Sequence, residues 1–136
     1  MEATKITGID TNCVTEPRND GTPGSALYTV PLKLNKTPSQ LWAKIFVHTW
    51  NSPPQYTSMH RPGIASVRGD RIILNGTTLD EVDKTHKATL KLCIEEADKK
   101  EQETIRRHEE ARRIEKEKSD QWRRETKERA DGISFD

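Results

Sequence analysis

The sequence predicts an α+β fold, a small antiparallel sheet of three to four strands covered by two helices, the second very long and extending beyond the core as a charged arm. Three observations carry this. Period-two apolar runs alternate with a period-3.6 run before Ala97. The stretch from Thr77 to Asp131 has no proline or glycine and lies between Gly76 and Gly132. Apolar residues become sparse after Ala97, so residues 1–97 read as a compact domain, 98–131 as an arm and 132–136 as a short tail.

Composition supports one core with a solvated appendage, because in 136 residues only 31% are hydrophobic while 33% are charged. A net charge of +1 from 23 basic and 22 acidic residues gives no bulk attraction for nucleic acid or anionic lipid. Cys13 and Cys93 have no CxxC or Cys-His companions, which fits a reduced compartment. The start, MEATKITGID, lacks the basic and apolar regions of a secretory signal, and no run approaches the ~18 apolar residues of a membrane span. The expectation is a soluble cytoplasmic protein with no membrane contact.

Ile6 and Ile9 among threonines suggest a short strand at residues 4–9, despite imperfect alternation. Residues 16–25, EPRNDGTPGS, read as a loop by turn chemistry. In ALYTVPLKLN, residues 26–35, Tyr28, Val30, Leu32 and Leu34 share one face. Pro31 lacks an amide donor, which predicts that this strand lies at a sheet edge or carries a bulge.

Thr37 as cap and Pro38 in the first turn predict a helix reaching Trp50 or Asn51. Leu41, Trp42, Ile45, Phe46, Thr49 and Trp50 recur at three and four, a stripe that covers the sheet, with a strand in KIFVHTW as the alternative. Asn51-Ser52-Pro53-Pro54 ends it in an irregular loop through Pro62. Ile64–Val67 and Arg71–Leu74 flank Arg68-Gly69-Asp70, a tight hairpin, and Asn75-Gly76 closes its second strand.

Thr77 or Thr78 caps the long helix, with Asp80, Glu81 and Asp83 favouring its dipole. Leu79, Val82, His86, Leu90, Cys93 and Ala97 fall within about 80° of one another at ~100° per residue. That stripe faces the core. The order of elements resembles a ferredoxin-like sandwich lacking its last strand, and this likeness of architecture implies no function.

The arm from Asp98 to Asp131 has eleven acidic and twelve basic residues and no coiled-coil seam. Opposite charges at i,i+4 stabilise it instead: Glu95–Lys99, Glu96–Lys100, Glu103–Arg107, Glu109–Arg113, Asp120–Arg124 and Glu125–Arg129. Arginines 106, 113 and 124 share a side with Glu110, Glu117 and Glu128, so a phosphate track is disfavoured. Ile105, Ile114 and Trp122 are unneeded by a solvated helix and are the candidate contacts for a protein partner or a second copy, joined by Tyr56 and Met59 of the loop after Trp50.

No P-loop, GxGxxG, GxSxG or HExxH is present, and His48, His60, His86 and His108 are scattered. His86 and Cys93 share a helix face but stand about 10 Å apart along it, so no metal or cofactor is expected. The reading is a non-enzymatic protein-interaction or self-association module using the arm. Two alternatives stay open. One is a nucleic-acid binder using Arg61, Arg68, Arg71, Lys84, Lys87 and Lys91; the other is a small enzyme centred on the loop after Trp50, with Cys13 as a nucleophile and His48 or His60 as its base.

Overall fold

A computed structural model describes residues 2–17, 19, 21 and 26–136. The chain divides into two compact units, Met1–Glu101 and Gln102–Asp136. Among the described residues no helix is long and apolar enough to cross a membrane. Of the loop expected at 16–25, residues 18, 20 and 22–25 lie outside the described residues.

The first unit is a four-stranded antiparallel sheet, β1 (Ile6–Ile9), β2 (Tyr28–Leu34), β3 (Ala65–Arg68) and β4 (Arg71–Thr77), in the order β1-β2-β4-β3. Alternation in β2 puts Val30, Leu32 and Leu34 into the core, where they meet Ile72 and Leu74 of β4. In this order β1 lies beside β2 at one edge of the sheet and β3 lies beside β4 at the other.

Pro31 corrects the expectation of an edge strand, since β2 pairs with both β1 and β4. Its carbonyl accepts from Asp10 N at 3.0 Å, so its missing donor faces the place where the β1 ladder ends and the chain turns away at Thr11–Cys13. Bulges lie in the strands on both sides of β2, in β4 at Gly76, where Tyr28 and Thr29 oppose Thr77 and Asn75, and in β1. Ile6 opposes Leu34 and Ile9 opposes Leu32, with a register shift at Thr7–Gly8. The extra residue brings two isoleucines three positions apart onto one face, which accounts for the imperfect alternation.

Helix α1 (Gln40–Asn51) starts two residues later than expected, because Ser39, not Thr37, accepts from Trp42 N at 3.0 Å. Its stripe buries Trp42, Phe46, Thr49 and Trp50, and the rings of Trp42 and Phe46 stack 5.2 Å apart. Leu41 stays 37% exposed, at the margin of that stripe. The buried indole N–H of Trp42 requires an acceptor, and Asp98 Oδ1 provides it at 2.7 Å.

The hairpin turns through Gly69, whose φ of 59° is the left-handed region that glycine enters without a Cβ clash. Strand β4 runs past the expected stop at Asn75-Gly76 to Thr77, since Tyr28 and Thr29 of β2 still pair with Thr77 and Asn75. Thr78 then caps α2 (Leu79–Glu81), accepting from Glu81 N at 3.1 Å. A π-helical turn, Val82–His86, leads into α3 (Lys87–Asp131). This wider turn shifts the helical phase between Leu79 and the residues beyond the turn. Leu79 is therefore 42% exposed, while Val82, His86, Leu90, Cys93, Ile94 and Ala97 are buried. Burial continues to Glu101, whose carboxylate accepts from the Ser39 hydroxyl.

In the second unit α3 continues with every side chain exposed or only partly buried and ends at Gly132, whose N–H donates to Glu128 O at 3.2 Å. Glu103 and Arg107 approach to 4.0 Å, and Arg113 pairs with Glu110 instead of Glu109. Such exposed pairs are screened by solvent and each contributes little to stability.

Candidate functional site

Two features of the first unit stand out, a groove and a buried polar cluster, on opposite sides of the π-helical turn. The groove has a volume of about 690 Å³ and runs between β1 and the helical wall from Leu79 to Asp98. Its floor and walls are aliphatic: Ile6 and Ile9 of β1, Leu32 of β2, and Leu79, Val82, Leu90 and Ile94 of the helices. Val82, Leu90 and Ile94, buried members of the core, thus form the floor on the helical side, and the exposed Leu79 extends it along the opening.

The rim is charged. Lys5, Asp83, Lys87, Lys91, Glu95 and Asp98 line it. Three of these are committed within the fold. Asp98 accepts from Thr4 N at 2.9 Å, Thr4 Oγ1 at 2.7 Å and Trp42 Nε1 at 2.7 Å, which fastens the start of β1 to α3 and α1. Asp83 faces Lys87 at 3.7 Å.

The polar cluster lies on the other side of the turn. Glu81 accepts from Arg61 and from the Thr77 hydroxyl, and both contacts, led by Arg61, hold its carboxyl below the usual range against the opposing effect of burial. His86 is fully buried, edge-on to the Trp50 ring at 5.4 Å. Burial holds the His86 imidazole below its ordinary pKa, and the nearby Glu81 carboxylate opposes that only in part. Both of its ring nitrogens, and Nδ1 of His60, have no hydrogen-bond partner among the described residues. His60 donates through Nε2 to Trp50 O at 2.7 Å, and Trp50 Nε1 donates to Arg61 O at 2.9 Å. These bonds close the loop 52–64 over Trp50 and His86. None of the residues in this cluster lines the groove.

The residues singled out from sequence fall in several places. Tyr56 and Met59 sit on the closing loop, 64% and 41% exposed, Tyr56 edge-on to His60 at 5.5 Å. Ile105, Ile114 and Trp122 belong to the second unit, with Trp122 67% exposed. At ~100° per residue Ile105 and Ile114 point about 180° apart, so the three do not make one stripe. Arg61 is held by Glu81, Arg71 bonds Asp10 at 3.1 Å, Lys84 faces Asp80 at 3.1 Å and Lys87 faces Asp83. Arg68 stands exposed at the hairpin and Lys91 on the groove rim.

Cys93 is buried, and desolvation raises its thiol to about 12; Cys13 is exposed. Among the described residues no three of His, Cys, Asp and Glu converge as a metal ion requires. Sequence reasoning missed the groove because its two walls, β1 and the helix from Leu79, are ~70 positions or more apart in the chain; Leu79, Val82 and Leu90 were read only as part of the core stripe. Comparison with family models, curated proteins and solved structures finds no match for this chain.

Proposed function

We propose that this chain is a non-enzymatic binding module that takes a partner into the apolar groove between β1 and the helical wall. The observation that supports this most directly is the groove itself, where seven aliphatic side chains line about 690 Å³. Grooves of this size lined by aliphatic groups with a charged margin bind ligands through buried apolar surface and orient them at the rim. None of the groups with shifted pKa values, Asp10, Arg71, Glu81, His86, Cys93 and Arg113, lines the groove, which favours binding over catalysis there.

Nucleic-acid binding has less support, since Arg61, Arg71, Lys84 and Lys87 are each matched by a carboxylate. The helical arm enters this reading through Trp122, a single exposed aromatic anchor, and not through a continuous face.

Leu79→Glu and Lys91→Glu test the assignment. Both positions are exposed, and an acidic residue at the start of α2 suits the helix dipole. Peptides selected on the wild-type chain from a sequence-blind library are expected to bind Leu79→Glu at least roughly ten-fold more weakly. Ligands indifferent to both substitutions would place binding elsewhere.

A further inference from the structure

The groove is bounded by the outer edge of β1, and the backbone of that edge is ordered for pairing. Lys5 O accepts from Asn35 N at 3.0 Å, Gly8 opposes Lys33, and Asp10 N donates to Pro31 O at 3.0 Å, so these residues turn their polar groups toward β2. Alternate residues of an antiparallel strand turn theirs the other way. Thr4, Ile6 and Ile9 therefore face outward. Thr4 N–H is already taken by Asp98 at 2.9 Å, and among the described residues no strand pairs with β1 on that side. The bulge places the side chains of Ile6 and Ile9 on the helix-facing side, so the outward amides and the apolar trench adjoin.

We propose that the occupant of the groove is an extended segment of a partner protein, laid beside β1 as a fifth strand with alternate apolar side chains in the trench. This rests on the reading of the groove as a binding surface. The wall formed by residues 3–9 spans about 20 Å at ~3.3 Å per residue, which suits a segment of roughly six or seven residues.

Charge complements the assignment. Asp83 and Asp98 are committed within the fold, while the Lys5 and Lys91 ammonium groups and the Glu95 carboxylate have no ion-pair partner among the described residues. Counting Asp98, whose hydrogen-bond donors are neutral, the rim carries three ammonium groups and three carboxylates, and the unpaired ammonium groups of Lys5 and Lys91 are the points that acidic residues flanking the segment's apolar positions can meet. Backbone pairing supplies affinity and the trench supplies sequence preference. A four-residue bulged edge offers few outward groups, so it captures only segments that also fill the trench.

The test uses the full chain and a fluorescein-labelled peptide of sequence Glu-Val-Thr-Ile-Thr-Val-Glu, capped at both ends, read by anisotropy and by amide exchange at Ile6 and Ile9. Binding should slow exchange at both amides. N-methylation of the peptide amides of one parity should weaken binding by roughly three- to ten-fold per amide, and of the other parity by less than about two-fold. Equal effects at both parities, or unchanged exchange, overturn the fifth strand. If laurate displaces the peptide without protecting those amides, or if Leu79→Glu abolishes a self-association of the chain, the strand fails while the groove reading stands. If peptide, laurate and self-association are all insensitive to Leu79→Glu, both readings fail.

Discussion

His86 Nε2 lies 3.8 Å from Glu81 Oε1, one side chain fully buried and the other tied to Arg61 and Thr77. The two groups make stability depend on pH in separate windows. Burial lowers the His86 pKa, so the unfolded chain takes up a proton first and stability falls as pH drops below about 6.5. The slope reaches at most about 1.4 kcal/mol per pH unit and vanishes once the folded imidazole is protonated. Arg61 lowers the Glu81 pKa, so that contribution is complete above 4.5 and is lost as pH falls through the folded value. His86→Phe should remove the upper limb and keep the lower one. Urea unfolding midpoints between about pH 3 and 8 measure both.

Asp98 bonds three donors from two distant parts of the chain, Thr4 and Trp42. Asp98→Ala leaves the indole N–H of Trp42 buried and unpaired, and should cost roughly 3 kcal/mol in urea unfolding. Asp98→Asn keeps one acceptor and should cost less than half of that. A smaller loss for alanine than for asparagine would show that the fastening contributes little.

Gly76 has a φ of 121°, which side chains rarely adopt, although a Cβ there would meet Ile64 only at 3.7 Å. Strain of the backbone, and not crowding, therefore sets the penalty. Gly76→Ala is expected to lower stability by about 1–3 kcal/mol with no change in the dimensions of the folded state by small-angle scattering.

Cys13 and Cys93 should separate cleanly in a thiol titration. Exposed Cys13 reacts with a disulfide reagent at once, whereas Cys93, buried and raised to about 12, reacts only as the chain unfolds. Two equally fast equivalents under native conditions would contradict the packing around Leu90 and Cys93.

Tryptophan fluorescence reports on the two units independently. Trp42 and Trp50 are 1% and 0% exposed, while Trp122 is 67% exposed. Acrylamide should quench one component strongly, and Trp122→Phe should abolish it. A partner that uses the arm would protect this component, and one confined to the groove would leave it unchanged.

Much of this was legible in the sequence. The alternation of Tyr28, Val30, Leu32 and Leu34, the glycine turn at Arg68-Gly69-Asp70, the tryptophan stripe of α1 and the long run bounded by Gly76 and Gly132 all rest on interactions within a few residues. Local pattern and Gly/Pro punctuation therefore determine them. Tertiary structure decided what depends on distant partners. Pro31 lies in an interior strand because its missing donor meets the end of β1. Ser39 caps α1 and bonds Glu101, Thr4 finds Asp98 94 positions away, and the π-helical turn re-phases the long helix so that Leu79 turns toward a groove while His86 turns toward Trp50. No periodicity encodes these relations. They arise only when the sheet edge and the helix are brought together, and that juxtaposition forms the groove.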